Sequence, residues 1–299
     1  LTLTDTRVDD SYPTRIAGKP EHLPRTHPTV WGAEADGPID AAALANHEAR
    51  GYTVVDQLLS PGEIQTYWQE LVRMSSGDHR DDERVITEAK TGEVRSIFDV
   101  HETSELIAEL VRDPRVLDRA RQILGSEVYI HQSRVNYMPG FKGTGFYWHS
   151  DFETWHAEDG MPAPRAVSCS IALTDNYPFN GGLMVMPGSQ RTFVQCAGET
   201  PEDNYKSSLK EQRVGVPSEE DITKLAAEYG IDQFTGQAGS ALWFDSNVMH
   251  GSSNNITPYP RSNIFVVFNS VENALREPFA AIEPRPTFIA GRDSTPLSR

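Results

Sequence analysis

The sequence predicts an α+β fold, mainly β, with a helical layer packed on an antiparallel sandwich or barrel. Three observations predict it. Capped helical segments fill the first part of the chain. Segments rich in β-branched and aromatic residues fill the rest, and Gly, Pro and Asn clusters separate them. At 299 residues the chain is long enough for one large β-rich domain, or for two modest ones. We read it as a single domain over 1–299.

Residues 1–37 are rich in Pro, Asp, Arg and Thr without periodicity and read as an arm that wraps over the domain. Residues 38–125 read as a mainly helical layer. Asp40 can cap the segment AAALANHEAR, with Gly51 as its stop. YTVVDQLL (52–59) is a short strand. Ser60-Pro61-Gly62-Glu63 is a capping box with Pro at the first helical position. Asp113-Pro114 opens a further helix that Gly125 closes. Residues 126–290 hold strand-like segments at 127–138, 165–175, 182–189, 239–247 and 261–271. Within that region, 197–217 is polar and aperiodic. A loop of that length inside a compact domain suggests a lid over a site, with a plain solvent loop as the alternative. A helix capped by Ser218, with Asp221 three residues on, follows it and ends near Gly230.

Hydrophobic residues make up 38% and charged residues 23%, which excludes general disorder. No run approaches the roughly eighteen apolar residues of a membrane span. The start of the chain is polar and acidic, without the apolar core of a signal peptide, so a cytoplasmic location is expected. The net charge of -16 comes from 43 acidic and 27 basic residues. Such a surface repels nucleic acid and anionic lipid, which leaves small-molecule chemistry and no nucleic-acid or membrane partner. Cys169 and Cys196 form no CxxC motif and read as two reduced thiols.

The most informative segment is FYWHSDFETWH (146–156). On a strand, the two-residue spacing of His149 and Asp151 points both side chains to one face, where they can share an ion. His250, just after the strand-like ALWFD, is the leading third ligand. His156 is its rival, but on a continuous strand it faces away from His149. Two imidazoles and one carboxylate leave three octahedral positions open, which suits Fe(II) oxygenases that take a chelating cosubstrate and O2. Arg261 lies eleven residues after His250, and a turn through NNITPYP brings its strand back beside the one carrying His250. A guanidinium there is a natural grip for the distal carboxylate of a 2-oxo dicarboxylic acid.

On the strand 127–138, Gln132, Arg134, Asn136 and Met138 share one face, while Tyr129, His131, Ser133, Val135 and Tyr137 share the other. Polar residues on both faces fit the wall of a polar cavity. Ala166, Ser168, Ser170 and Ala172 also share a face, leaving room for a ligand. Two alternatives stay open on these residues alone: a dioxygenase for another small polar molecule, and a non-catalytic jelly-roll module that holds a metal.

The stretches IHQSRVNYMPGF (130–141) and FYWHSDFETWHAEDGMP (146–162) are the most specific marks of kinship, with NGGLMVMPGS (180–189) and WFDSNVMHGSSNN (243–255) beside them. Through them the chain resembles the phytanoyl-CoA hydroxylase-like family of dioxygenases, most closely its ectoine-hydroxylating branch. The resemblance spans about residues 11–288. It implies a double-stranded β-helix (jelly-roll, cupin-like) core, with His149, Asp151 and His250 as catalytic residues that hold Fe(II). It also implies 2-oxoglutarate and O2 as cosubstrates. Arg261 would bind the cosubstrate carboxylate, with Ser252, Asn136, Phe146 and position 138 nearby. Gln132, Thr154, Trp155 and Arg285 would hold ectoine, and Phe244 and Phe265 would line the cavity. Trp155 would stack on the cationic ring, and Arg285 would pair with the carboxylate. The product would be 5-hydroxyectoine, a compatible solute, made by a cytoplasmic homodimer. Two positions depart from the pattern: Met138 stands where Lys is expected, and Gln190 where His often ends the PGS motif.

Overall fold

The four longest helices begin where a side chain can satisfy their first free amides. Asp40, Ser60, Asp113 and Ser218 each accept a hydrogen bond from a backbone N–H in the first turn that follows. Gly51 and Gly125 end two of them with φ of 76° and 59°, a left-handed conformation that suits glycine. The computed structural model describes residues 10–77, 82–88 and 92–299. Part of the N-terminal arm, residues 1–9, therefore lies outside the described residues.

In chain order the helices are α1 (Ala41–Arg50), α2 (Pro61–Ser75), α3 (Val100–Thr103), α4 (Glu105–Leu110), α5 (Pro114–Leu124), α6 (Asp151–Thr154), α7 (Tyr205–Ser208) and α8 (Glu219–Tyr229). The strands are β1 (His22–Pro24), β2 (Tyr52–Val55), β3 (Val85–Thr87), β4 (Val94–Phe98), β5 (Val128–Met138), β6 (Phe146–His149) and β7 (Ala166–Ala172). They continue as β8 (Leu183–Val185), β9 (Thr192–Val194), β10 (Asp232–Gln233), β11 (Ala241–Asp245), β12 (His250–Ser252) and β13 (Arg261–Ser270). The large sheet runs β2-β11-β7-β13-β5-β4-β3, the smaller one β10-β8-β12-β6, and β1 pairs with β9. Every pairing between these strands is antiparallel. The two main sheets face each other across a cavity, in the jelly-roll arrangement expected.

The alternation of side chains along the large sheet explains the two layers. Val167, Cys169 and Ile171 of β7, Ala241 and Trp243 of β11, and Ile264, Val266 and Phe268 of β13 join the core under the helices, with Leu71 and Leu117. Each such buried aliphatic or aromatic side chain contributes about 1.5–3 kcal/mol. The intervening Ser170, Phe244, Asn263 and Phe265 point to the cavity side.

Strand β5 contains a one-residue bulge. Val267 pairs with Gln132, but Phe268 pairs with Ile130, so His131 is the extra residue. Ile130 accordingly sits in the helix-side core together with Val135, while Gln132, Arg134, Asn136 and Met138 line the cavity. The cavity face expected from the sequence is present. The opposite face is not continuous, because the bulge separates 129–130 from 133–137.

Several expected boundaries shift. Residues 38–125 supply β2, β3 and β4 to the large sheet as well as helices. The strands expected at 52–59 and 182–189 are β2 and β8, which stop at Val55 and Val185. The arm is held by β1 and by buried Tyr12, Thr14 and Arg15. Among the described residues, no helix is long and apolar enough to cross a membrane. Cys169 and Cys196 are free and buried.

Candidate metal centre and active-site cavity

His149 ends β6 and His250 begins β12, and these two residues are register partners across the strand pair. Their ring centroids lie 4.3 Å apart. The Nδ1 of His149 faces the Tyr147 carbonyl at 2.7 Å, and that of His250 faces the Val248 carbonyl at 2.9 Å. Each ring therefore spends Nδ1 on the backbone and turns Nε2 inward, the arrangement that prepares an imidazole for a metal.

Asp151 is not on the strand. It opens α6, and Phe152 N–H donating to the Ser246 carbonyl at 2.8 Å fixes that turn. The sequence expectation of one continuous strand through 146–156 is thus corrected, because the chain turns into a helix after His149. Asp151 still reaches both rings: Oδ1 lies 3.6 Å from His149 Nε2, and Oδ2 lies 3.7 Å from His250 Nε2. One donor atom from each of the three residues lies within 4.8 Å of the others.

The electrostatics fit a divalent cation. Burial works to raise the Asp151 carboxyl, but His250, His149 and Arg134 outweigh it and hold it at about 2. Burial, reinforced by His149, pushes His250 down to about 4, so its ring is neutral at physiological pH. Asp151 Oδ2 is buried without a hydrogen-bond partner. An unpaired carboxylate oxygen beside two inward imidazole nitrogens is a site that a metal completes. His156 is not part of it. Its two ring nitrogens are taken by the Met161 carbonyl and Asp10.

Arg261 begins β13 and pairs in register with Met138. Strand β13 belongs to the large sheet and β12 to the smaller one, so Arg261 does not neighbour His250 along one sheet as the sequence suggested. The two residues instead line the same cavity from different sheets. Among the described residues no carboxylate pairs with Arg261. Its Nη2 contacts Met138 Sδ at 3.8 Å, its Nε is buried without a partner, and burial lowers it to about 10. A desolvated cation without a partner is costly and suits an anionic ligand.

The other expected residues are brought to this cavity as well: Asn136, Met138, Phe146, Ser252, Gln132, Thr154, Trp155, Phe244, Phe265 and Arg285 all line it. Asn136 donates to Asn263 at 3.1 Å and accepts from Ser96 at 2.8 Å. Ser252 Oγ accepts from Phe146 N–H at 3.1 Å. Gln132 donates to the Ile289 carbonyl at 2.8 Å. Arg285 is already gripped by Asp159 through two hydrogen bonds of 2.7 and 2.6 Å. Its capacity to pair with a substrate carboxylate is reduced accordingly. Gln190 lies away from the cavity and donates to the Glu48 carbonyl at 2.9 Å.

The expected lid segment contributes Ser208, Leu209, Gln212 and Val214 to the lining, and Gln212 donates to Thr154 at 3.1 Å. Among the cavity residues that received no role from the sequence, Arg134 and Glu158 stand out. Arg134 was placed on the correct face, yet its significance emerges only from burial. It lies 4.2 Å over the Phe265 ring, donates to Gln132 at 2.9 Å, and is lowered to about 10 by desolvation. Glu158 was hidden by the strand reading of the segment before it. A helical reading would have set it three residues after Trp155 on one face.

The comparisons with known proteins agree with this geometry. Residues 47–263 match the family model described as phytanoyl-CoA dioxygenase. A relative named ectoine dioxygenase from Nocardia farcinica is 63% identical, over 96% of this chain and 95% of its own length. The crystal structure of EctD from S. alaskensis with 2-oxoglutarate and 5-hydroxyectoine is 44% identical with a TM-score of 0.87, covering 97% of this chain and 96% of that one. The structure of the same protein with bound Fe also gives 0.87, at 44% identity and 97% of each chain. With the matched segment spanning most of its length, this chain belongs to the phytanoyl-CoA dioxygenase family.

Proposed function

We propose that this chain is an Fe(II)- and 2-oxoglutarate-dependent dioxygenase that hydroxylates ectoine to 5-hydroxyectoine, releasing succinate and CO2. One observation carries the reading. The His149–Asp151–His250 cluster and the unpaired guanidinium of Arg261 line a single cavity. The identity to a protein named ectoine dioxygenase over nearly the whole chain supports the choice of substrate.

His149, Asp151 and His250 would hold the ferrous ion, and two imidazoles with one carboxylate leave room for a bidentate cosubstrate and O2. Iron bound there supplies the oxidising chemistry together with 2-oxoglutarate and O2. The chain's own residues bind, orient and exclude water. Arg261 grips the distal carboxylate of 2-oxoglutarate, with Asn136, Ser252, Phe146 and Met138 around it. Gln132, Thr154, Trp155 and Arg285 orient ectoine, and Phe244 and Phe265 keep the cavity wall apolar. The 197–217 segment acts as the lid.

The same reading covers the whole chain as one dioxygenase domain. It also covers a cytoplasmic homodimer that makes a compatible solute for osmotic stress. These rest on the family resemblance, and size-exclusion chromatography with light scattering tests the dimer. The deciding experiment for the activity is anaerobic reconstitution with Fe(II), then product analysis with ectoine, 2-oxoglutarate and air. Hydroxyectoine and succinate in equal amounts are expected. Succinate release that ignores ectoine would overturn the substrate assignment.

A further inference from the structure

The turn that follows Asp151 concentrates acid where acid is expensive. After α6, residues Trp155–Asp159 form a π-helical turn. Glu153, Glu158 and Asp159 in this stretch are 1%, 2% and 0% exposed. Two guanidiniums answer these three carboxylates. Arg15, from the N-terminal arm, reaches Glu153 with Nε at 3.1 Å and Nη2 at 3.2 Å, and Glu158 with Nη1 at 2.6 Å. Arg285 is committed to Asp159. His131 also faces Asp159, at 3.3 Å, rather than Glu158. Three carboxylates against two guanidiniums leave one carboxylate in excess, with Arg15 divided between Glu153 and Glu158, and a buried carboxylate with a shared partner gains from a further cation.

The excess falls on Glu158. Its Oε1 accepts from Arg15 and from Asn204 Nδ2 at 2.8 Å. Its Oε2 accepts no hydrogen bond among the described residues, and it is not one of the sealed polar atoms left without a partner. Glu158 lines the cavity, and so do Asp151, Thr154 and Trp155 on the same helical stretch. Asp151 and Glu158 are seven residues apart, so roughly 10 Å of helix rise separates the candidate metal ligand from this carboxylate. Trp155 lines the same cavity, its ring set edge-on to His131 at 4.9 Å between centroids. An aromatic ring and an open carboxylate oxygen lining one cavity together suit a delocalised cation.

We propose that Glu158 and Trp155 together recognise a positively charged ring, so that a ring cation is a requirement for good substrates of this enzyme. This deepens the function proposed above and rests on it. The second carboxylate oxygen of Glu158 pairs with the ring cation and completes the charge balance of the cluster. Arg15 and Asn204 are positioning residues that fix the carboxylate from behind. Because Arg15 belongs to the arm and Asn204 to the lid segment, both segments help set the orientation of this oxygen.

The test compares ectoine with 6-oxopiperidine-2-carboxylate, a six-membered lactam acid that keeps a carboxylate but lacks the cation. Binding of each to the Fe(II) and 2-oxoglutarate form is measured anaerobically by calorimetry, and turnover by succinate release. Wild type should bind ectoine about 10- to 100-fold more tightly than the lactam, the range of a charge-assisted hydrogen bond. E158Q should raise the ectoine KM by a similar factor and leave the 2-oxoglutarate KM and the lactam affinity unchanged. R15Q, which removes the same ion pair but keeps the carboxylate, should raise the ectoine KM much less. Equal affinity of wild type for the two ligands overturns the inference even if no variant folds. So does an R15Q defect equal to that of E158Q, which would make the pair a structural anchor. A wild type that does not hydroxylate ectoine removes the functional reading and this inference together. An ectoine-active wild type with an E158Q variant of unchanged KM removes the inference alone.

Discussion

His149 and His250 stand directly opposite each other on paired strands, and each is locked by a hydrogen bond to the carbonyl two residues before it. That symmetry turns both Nε2 atoms toward one point, with Asp151 beside them. A site that keeps two inward imidazole nitrogens around an orphaned carboxylate oxygen gains most when a cation enters.

Metal binding should therefore stabilise the fold. Adding Fe(II) without oxygen is expected to raise the melting temperature of wild type by about 2–4 °C for each 1 kcal/mol of binding linkage. A chelator should reverse the shift. Asp151→Ala should show no shift and no ectoine-dependent succinate release. Full retention of activity in that variant would remove the iron assignment.

Arg261→Ala should separate the two substrates. Removing the buried guanidinium is expected to raise the 2-oxoglutarate KM by at least about 30-fold, the lower range for losing one partner of a buried charge pair. The ectoine KM should change far less. A steady-state matrix of the two substrates checks this, and equal effects on both would deny the clamp.

Met138 touches Arg261 through its sulfur and brings no charge. Met138→Lys places a second cation beside the first. The 2-oxoglutarate KM should fall about three- to tenfold, as a new charge-assisted contact forms. The cosubstrate-free protein should melt about 2–4 °C lower for each 1 kcal/mol of repulsion between the two cations. An unchanged KM would mean that position 138 does not face the cosubstrate.

Gly215 has φ of 71°, and a Cβ there would strike the Glu153 carboxylate and the Arg15 guanidinium. Gly215→Ala should shift the lid segment off the turn that carries Trp155. The ectoine KM should rise about tenfold, equivalent to roughly 1.4 kcal/mol of backbone strain. Rescue is not expected from extra 2-oxoglutarate. Wild-type kinetics in this variant would detach the segment from the site.

His47 gives a pH signature away from the cavity. Burial, with Arg25 and Arg119 adding repulsion, pushes it down to about 3, against about 6.5 in an unfolded chain. Between those values the unfolded chain binds a proton that the folded one refuses. Stability from this residue is therefore present above pH 6.5 and is lost as pH falls. At pH 5 the loss should be about 2 kcal/mol. Urea unfolding of wild type and His47→Gln at pH 7.5 and pH 5 checks it. The variant should lose less on acidification, and an equal loss would contradict the assignment.

Much of this was legible in the residues. The caps at Asp40, Ser60, Asp113 and Ser218 are local chemistry, and local chemistry survives folding. The convergence of Arg261 with His149, Asp151 and His250 on one cavity was legible because few other functions need that set of groups. What was misread depends on distant partners. The segment after His149 was taken as strand because it is too short for helical periodicity to emerge, and its helical turn is fixed by the Ser246 carbonyl nearly a hundred residues away. Strand β12 has three residues, so the sequence did not show that it pairs with β6 and β8 instead of β13. Strand β3 is the edge of the large sheet and β4 lies just inside it, and side-chain alternation is weak in both. The role of Arg134 needed its burial, which composition does not report.

The extra residue at His131 has a consequence for engineering this scaffold. Gln132, Arg134, Asn136 and Met138 look into the ligand chamber only because one amino acid upstream is out of step with its neighbour strand. Ironing the bulge out without losing a residue, so that His131 took Val267 as its partner, would rotate Gln132, Arg134, Asn136 and Met138 into the oily layer beneath the helices and turn Ser133, Val135 and Tyr137 toward the ligands instead. Every pocket contact made by this strand would be exchanged at once, so grafted or shuffled versions must preserve the bulge here as strictly as their chemistry.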